Sequence, residues 1–546
     1  MLHPRTMKQS LLHKRTPILI CAIALLAALL PVALVVMQVK HFTVGLFIYP
    51  VDDAFIHLQL AKNLAAHGTW GINAGTFGSA SSSLLYTLIL SGLCKIFGPA
   101  LYLPLAVNAI VAVFLLLAVH RWLRAQGLGA GAQLLALLLV VFFAPVPILV
   151  LSGMEHTLQC LFSFLFLSRF SDWMAQQEGA RTTRRLPIDV LLWAVLTATI
   201  RYEGLFLVAA ACLVLAWRKR WLTAVQLGII AALPAILFGI YSLSKGSYFL
   251  PNSVLIKSEA AQFSLRGLVQ SFGRILIEKF TMASAGITLL ATQRLLLLLP
   301  LIFLAFVPFI RRQRSYGYFI VLLLFATVAH LAFADTGKFY RYEAYLVMCA
   351  VLITVVILVR AGAEVLPERR HLCLLLFVFL FFMAFPLVLR STAAFSKAKR
   401  ACINIYEQQY QMAQFVHRYY NNDGLAANDI GAVSYFTNTR LLDLWGLASI
   451  EVARSKKGGY WTAPFLDSLS REKNTKLAIV YDSWIGQSLP PGWKKVAAWR
   501  IPDNVVCGDD LVSFYAVDTS AAPQLKKNLQ EYRASLPADV QVTDYP

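Results

Sequence analysis

Two adjacent carboxylates, Asp52 and Asp53, open a stretch, Asp53–Ala66, whose apolar residues recur at helical spacing. One acid suffices to cap a helix N-terminus and favour its dipole. The second is then available for other work, and a positioned carboxylate can deprotonate an acceptor hydroxyl. Further charges gather in short segments between apolar runs. Ser152-Gly153-Met154-Glu155-His156 and Arg201-Tyr202-Glu203-Gly204 leave no room for a solvated loop, so their charges are tightly held, either as structural ion pairs or to meet a ligand. Leu250-Pro251-Asn252-Ser253 followed by Lys257, and the run Asp335 to Glu343 with Lys338 and Arg341, complete the set. Cations at a bilayer surface suit a lipid-borne phosphate, Lys as a point charge and Arg as a bidentate fork. Anchoring to lipid headgroups is the alternative use of Lys257 and Lys338.

The elements that must position these residues are membrane spans. Of 546 residues, 58% are apolar and 14% charged, against roughly 25% charged in soluble domains. That balance excludes a disordered chain and argues against a water-soluble fold of this size. Eleven apolar runs reach toward the length that crosses a bilayer: 17–37, 101–119, 131–151, 155–169, 187–200, 203–217, 222–243, 294–310, 317–334, 344–360 and 371–390. The first is too long for a signal-peptide core and lacks a small-residue cleavage site, so it is read as a retained helix. Six intervening segments are rich in Lys and Arg, among them Arg121 with Arg124, Arg218 to Arg220, and Arg311 to Arg314. The positive-inside rule makes these cytoplasmic. The alternation holds only if Ser82–Phe97 lies along the outer surface as an interfacial helix. The N-terminus is then inside, and segments 38–100, 152–156, 201–203, 244–293, 335–343 and the tail face outward.

The net charge of +21 alone suggests a nucleic-acid or anionic-surface partner. The six cytoplasmic segments, however, hold 19 Lys/Arg against 4 acids. Most of the excess is therefore a topology signal, and no nucleic-acid partner is expected. No run carries Asp, Glu, Lys or Arg near its middle, Asp189 lying close to a cytoplasmic end, which argues against an ion-coupled transporter. The eight cysteines show no CxxC pair or metal-type spacing.

From about 391 to 546 the composition becomes that of an ordinary soluble domain. Asn404–Tyr420 reads as a helix, and Ala432–Phe436, Leu441–Leu444, Leu477–Tyr481, Val496–Ile501 and Val512–Val517 read as strands. The expected architecture is thus a polytopic α-helical membrane domain, 1–390, with a C-terminal extracytoplasmic α/β domain, 391–546. Cys402 and Cys507 are the tail's two cysteines, and on an oxidising face they are expected to pair as a disulfide.

The motifs resemble those of the GT-C glycosyltransferases, in particular the terminal arabinofuranosyltransferases that build bacterial cell-wall polysaccharide. The resemblance rests on Asp52-Asp53-Ala54-Phe55-Ile56, Ala61-Lys62-Asn63-Leu64, Gly68, Gly71-Ile72-Asn73-Ala74-Gly75 and Ser81-Ser82-Ser83-Leu84-Leu85 in the first outward loop. Ser152-Gly153-Met154-Glu155 is similar to that branch's Ser-Gly-Leu-Glu, Arg201-Tyr202-Glu203-Gly204 to its Arg-Pro-Glu-Gly, and Leu250-Pro251-Asn252-Ser253 to its Leu-Pro-Asn-Thr. In the tail, Asn428-Asp429-Ile430-Gly431-Ala432 and Leu442-Asp443-Leu444-Trp445-Gly446-Leu447 resemble its Asp-Ile-Gly-Ala and Asp-Leu-Ala-Gly-Leu elements. Gln59 stands where the family has Arg, Tyr202 where it has Pro, and the late Gly-Asp…Arg-Phe element is kept in part as Asp335…Arg341-Tyr342.

The resemblance implies a multi-pass plasma-membrane enzyme that takes a sugar from a polyprenyl-phosphate donor to a glycan or lipid acceptor on the outer face. Transfer would be a direct displacement with Asp52 as base and Asp53 supporting it. Arg201, Lys338 and Arg341 would hold the phosphate leaving group, with Lys257 and Asn252 also at the substrate, while Glu155, Glu203 and Asp335 orient sugar hydroxyls or those cations. A divalent cation is left open as a cofactor. The competing readings are a lipid or polysaccharide transporter and a non-catalytic scaffold whose tail binds glycan.

Overall fold

The computed structural model describes residues 4–177, 185–257, 303, 307–365 and 370–546. Its first part is helical: α1 (Pro4–Phe42), α2 (Asp53–His67), α3 (Leu84–Phe97), α4 (Leu103–Ala125), α5 (Ala130–Phe143), α6 (Val146–Leu151), α7 (His156–Gln177), α8 (Ile188–Ile200), α9 (Gly204–Trp217), α10 (Trp221–Ser244), α11 (Asn252–Lys257), α12 (Val307–Arg312), α13 (Arg314–Phe333), α14 (Ala344–Val365) and α15 (Arg370–Ile405). Among the described residues four helices are long and apolar enough to cross a membrane, within α1, α4, α10 and α13, and shorter apolar helices include α3, α5, α8 and α9. Most of the apolar run 294–310, the loop 258–293, Arg181, Arg184 and Arg369 lie outside the described residues. The run 131–151 is two helices rather than one. Pro145 and Pro147 stand at its break, where a ring in place of the N–H ends the first helix.

The two ends of the bundle differ in chemistry. α9 starts at Glu203 and ends at Arg218, whose Nη2 donates to the Tyr318 hydroxyl at 2.6 Å. Arg124 closes α4, and the Tyr316 hydroxyl donates to Gln126 just beyond it. The acids and arginines singled out for chemistry occupy the opposite helix ends. Ser82–Phe97 is indeed helical from Leu84, capped by Ser83, whose hydroxyl accepts from the Tyr86 N–H.

Residue 391 is not a break. α15 runs through it to Ile405, passes through one π turn, Tyr406–Tyr410, and continues as α16 (Gln411–Tyr419). The tail then forms a six-stranded sheet in the order β2-β1-β3-β5-β4-β6, with β1 (Gly424–Ala427), β2 (Arg440–Asp443) and β3 (Thr475–Val480) parallel, and β4 (Lys494–Arg500), β5 (Leu511–Ala516) and β6 (Gln541–Asp544) antiparallel. Four of the five expected strands are present. The fifth, Ala432–Phe436, lies instead in helix α17 (Gly431–Phe436). A short apolar run has no periodicity to separate strand from helix, and here a carboxylate from far along the chain, Asp52, settles the matter by accepting the first N–H groups of the helix. One face of the sheet packs on Phe415 of α16, which meets Trp499 and Phe514 edge-on.

Candidate functional site

The turn between α8 and α9 is built around Gly204, where a Cβ would lie 1.9 Å from the Thr197 carbonyl oxygen. That close approach brings Arg201 and Glu203 together at the head of α9. Arg201 grips Glu203 at two points, Nη2 to Oε1 at 2.6 Å and Nε to Oε2 at 3.1 Å, and reaches Glu155 Oε1 through Nη1 at 2.6 Å. Glu155 precedes α7 in a turn that needs Gly153, whose φ is +67° and whose Cβ would strike the Tyr49 ring at 2.6 Å. The Ser82 hydroxyl donates to Glu155 Oε1 at 2.9 Å, and His57 Nε2 lies 3.4 Å from Oε2. Burial pushes both acids toward protonation, but His57 and Arg201 beside Glu155, and Arg201 beside Glu203, outweigh it and hold both below the ordinary glutamate range.

Arg341 comes to the same place on a contorted loop. Gly337, Lys338, Phe339 and Tyr340 all have positive φ, from 40° to 81°, a left-handed run that costs about 1–3 kcal/mol per non-glycine residue unless surrounding contacts impose it. Glu343 imposes it by accepting the Gly337 N–H at 2.8 Å and pairing with Arg390 at 3.0 Å, while Arg390 also donates to the Tyr340 carbonyl at 2.7 Å. Arg390 and Glu343 are both fully buried. The result is that Arg341 Nη2 meets Asp53 Oδ2 at 2.5 Å. Arg341 and Arg201 both lie over the Tyr342 ring, at 5.2 and 5.0 Å, and His156 stacks on it at 5.6 Å. Asp53, Glu155, Arg201, Glu203 and Arg341 thus form one cluster around Tyr342. Lys338, on the same loop as Arg341, is 61% exposed and lies 3.7 Å from Asp335.

Asp52 faces elsewhere. Its Oδ2 accepts the Gly431 N–H at 2.5 Å and its Oδ1 the Ala432 N–H at 2.8 Å, so it caps α17 of the tail. A Cβ at Gly431 would fall 2.1 Å from the Asp52 carbonyl oxygen, so only glycine allows this docking. Asp52 also faces Asp429, which accepts from Gln409 Nε2 at 2.7 Å and the Tyr481 hydroxyl at 3.0 Å. Burial raises both carboxyls above the ordinary aspartate range, and Asp429 raises Asp52 further. The charge of Asp53 adds to the rise at Asp429, which places this tail residue beside the pair.

The remaining expectations divide. Asn252 is fully buried at the start of α11, its N–H donating to the Ser79 hydroxyl at 3.2 Å, while its two side-chain amide atoms meet no hydrogen-bond partner among the described residues. The side chain of Lys257 lies outside the described residues. Cys402 and Cys507 are free thiols, not a disulfide, because the Cys507 thiol is turned to Gln409 Oε1 at 3.3 Å. Among the described residues no group of three or more His, Cys, Asp or Glu is arranged to hold a metal ion. Sequence reasoning gave no role to His57, His156, Tyr342, Glu343, Arg390 or Asp429. All but Arg390 lie within segments already singled out for charge or motif, and that proximity was the available signal.

Residues 403–515 match the model of a family described as a domain of unknown function (DUF8728). No curated protein matches the chain. Among solved structures the chain is similar to the archaeal oligosaccharyltransferase AglB from Archaeoglobus fulgidus in complex with an inhibitory peptide and a dolichol-phosphate, at 12% identity over 97% of this chain and 76% of that one, TM-score 0.49. It is also similar to ArnT from Cupriavidus metallidurans in the apo state, at 12% identity over 87% of this chain and 95% of that one, TM-score 0.45.

Proposed function

We propose that the protein is an integral membrane glycosyltransferase of the GT-C kind, moving a sugar from a polyprenyl-phosphate donor to a glycan or lipid acceptor at the extracytoplasmic ends of its helices. The observation that carries this reading is the cluster around Tyr342, where two buried guanidiniums and three carboxylates meet at the ends of membrane helices. Preorganised cations stabilise the charge that develops on a phosphate leaving group. Lys338, exposed three residues before Arg341 on the same loop, would draw the phosphate in. The proton acceptor in this reading is Asp53 rather than Asp52. Asp53 is 25% exposed, whereas Asp52 is buried and gives both oxygens to backbone N–H groups. A donor phosphate competes with Asp53 for Arg341, and its arrival would unmask the carboxylate as base. The acceptor O–H then passes its proton to Asp53 as its oxygen bonds the anomeric carbon and the phosphate departs with the bonding pair. Glu155 and Glu203 hold Arg201 in place.

The test is transfer by the full chain in nanodiscs, supplied with a panel of polyprenyl-phosphate sugars and envelope glycan, with released polyprenyl phosphate as the readout. Asp53→Asn should lower release by about 100-fold or more; because it also takes the carboxylate from the buried Arg341, the comparison is made on folded protein, well below its lowered melting midpoint. Release undiminished in Asp53→Asn overturns the assignment of the base. Failure of every donor to yield release overturns the transferase reading.

A further inference from the structure

The parallel strands of the tail end together, and each of them leads into polar or aromatic residues. Asp429 comes after β1, Trp445 after β2, and Tyr481 with Trp484 after β3. In sheets with parallel strands, ligands bind in the crevice beyond the strands' carboxyl ends. Here that edge faces the membrane domain: Asp429 meets Asp52, and a Cβ on Gly446 would lie 3.0 Å from Ile256 of α11.

Along this edge the side chains form a continuous track. The Tyr481 hydroxyl donates to Asp429, and its ring meets Trp484 edge-on at 5.2 Å. Trp484 lies 4.5 Å from Trp445. Lys456, on helix α18 (Ile450–Gly458), places its ammonium 4.3 Å from the Trp445 ring and 5.0 Å from the Trp461 ring, and donates to the Trp445 carbonyl at 3.1 Å. Trp445, Trp461 and Trp484 are each half-buried, whereas the tail's other two tryptophans, Trp493 and Trp499, are buried in its cores. Three partly exposed indoles in one row are an unusual surface, because large aromatics are otherwise spent on cores and binding sites. Partial burial among these rings also pulls the Lys456 ammonium down to about 8.

We propose that this track is the acceptor subsite: a neutral glycan chain lies across Trp461, Trp445 and Trp484, with its reacting end directed past Tyr481 and Asp429 to Asp53. The choice of occupant comes from the chemistry of the row. A sugar ring presents an apolar C–H face, which suits an indole, and a rim of hydroxyls, which suits the Lys456 ammonium and the part-buried Asp429 carboxyl, while Tyr481, fully buried and bonded to Gln408, Gln409 and Asp429, only holds Asp429 in place. A lipid tail would leave those polar groups unmatched, and an acidic chain would bring further negative charge to the Asp52–Asp429 pair, where two carboxyls already crowd each other. The proposal rests on the transferase reading for the direction of the chain, but not for its binding.

The experiment is equilibrium binding to the full chain in nanodiscs, read by tryptophan fluorescence, with neutral hexasaccharides of arabinofuranose, glucose and mannose as probes. At least one should saturate the signal. Trp445→Ala and Trp461→Ala should each weaken its binding by about 5- to 10-fold, the scale of one aromatic stacking contact. Trp445→Phe, which keeps a ring, should restore most of the loss and guards against a folding defect. Asp53→Asn should bind as the native chain does while failing in transfer, so loss of the catalytic reading and loss of the subsite are read separately. No saturable binding of any probe, or binding indifferent to both alanine variants, overturns the proposal.

Discussion

Replacing Arg201 by methionine removes one guanidinium that two acids share. Glu155 has no exposed surface and Glu203 only 15%, so neither can turn to water for compensation. Breaking a buried pair by removing one partner costs about 3–5 kcal/mol. The loss should reach that range near neutral pH, because two carboxylates lose their shared guanidinium at once, leaving Glu155 with Ser82 and His57 and Glu203 with the charge of His330. The pH dependence distinguishes this cause from simple loss of packing. In the native chain burial alone would raise both acids, but His57 with Arg201 overrides it at Glu155 and Arg201 overrides it at Glu203, and both values fall below the ordinary range. Such acids contribute stability above the ordinary carboxyl range and lose it as pH falls through their depressed values. Without Arg201, burial dominates at Glu203 and its value rises, while His57 still opposes burial at Glu155. The variant then loses stability as pH rises from the ordinary carboxyl range through the raised value of Glu203. The native and variant curves should therefore converge toward about pH 4 and separate toward pH 8. Unfolding midpoints of the two proteins across that range, followed by intrinsic fluorescence in detergent, make the comparison. A difference that stays constant with pH, or a loss below about 1 kcal/mol at neutral pH, would refute the stranded-charge argument.

Gly431→Ala should prise the tail from α2, since the new methyl carbon falls 2.1 Å from the Asp52 carbonyl oxygen; faster proteolysis within 424–445 and a lowered melting midpoint are the expected signs. Asp52→Asn keeps one acceptor for the two N–H groups of α17, and should cost about 1–3 kcal/mol. Because the native Asp52 carboxyl is raised by burial and by Asp429, it weakens the fold as pH rises from the ordinary aspartate range through the raised value, and that slope should shrink in Asp52→Asn melting curves. Lys338→Ala, at a side chain 61% exposed, should leave the midpoint within about 0.5 kcal/mol. It should raise the KM for a polyprenyl-phosphate donor, an effect that fades with added salt.

How much of this was legible in the sequence depends on the range of the interactions. Helix positions were, because apolar runs and basic termini are local. β3, β4 and β5 were, because β-branched and aromatic residues cluster there, and β2 was through the short apolar run Leu441-Leu442 bounded by polar residues. β1 was not: Gly424-Leu425-Ala426-Ala427 has weak strand propensity and forms a strand only because β2 and β3 flank it. α17 was misread for the converse reason, its first N–H groups being satisfied by Asp52, some 380 residues earlier. The site shows the same split. Five charged residues chosen by type and spacing do converge. The partners that hold them, Arg390 for the Arg341 loop and Asp429 beside Asp52 and Asp53, come from distant segments that no local pattern connects.

That division also says why the tail cannot be regarded as an appendage. α15 enters it without a break, so its position is tied to a helix of the bundle rather than to a tether. Asp52 spends both of its oxygens on the tail while the next residue, Asp53, turns the other way to Arg341. Successive side chains of one helix start thus bind two different bodies, and any shift of the tail would pull on the backbone that aims Asp53. A six-residue helix such as α17 is too short to be stable alone, and its cap comes from α2's leading turn. Each body therefore completes a piece of the other's structure at the point where both approach the reacting groups. The acid pair is a division of labour, Asp52 docking the tail and Asp53 meeting Arg341, and on the proposed reading the first fixes the geometry in which the second acts.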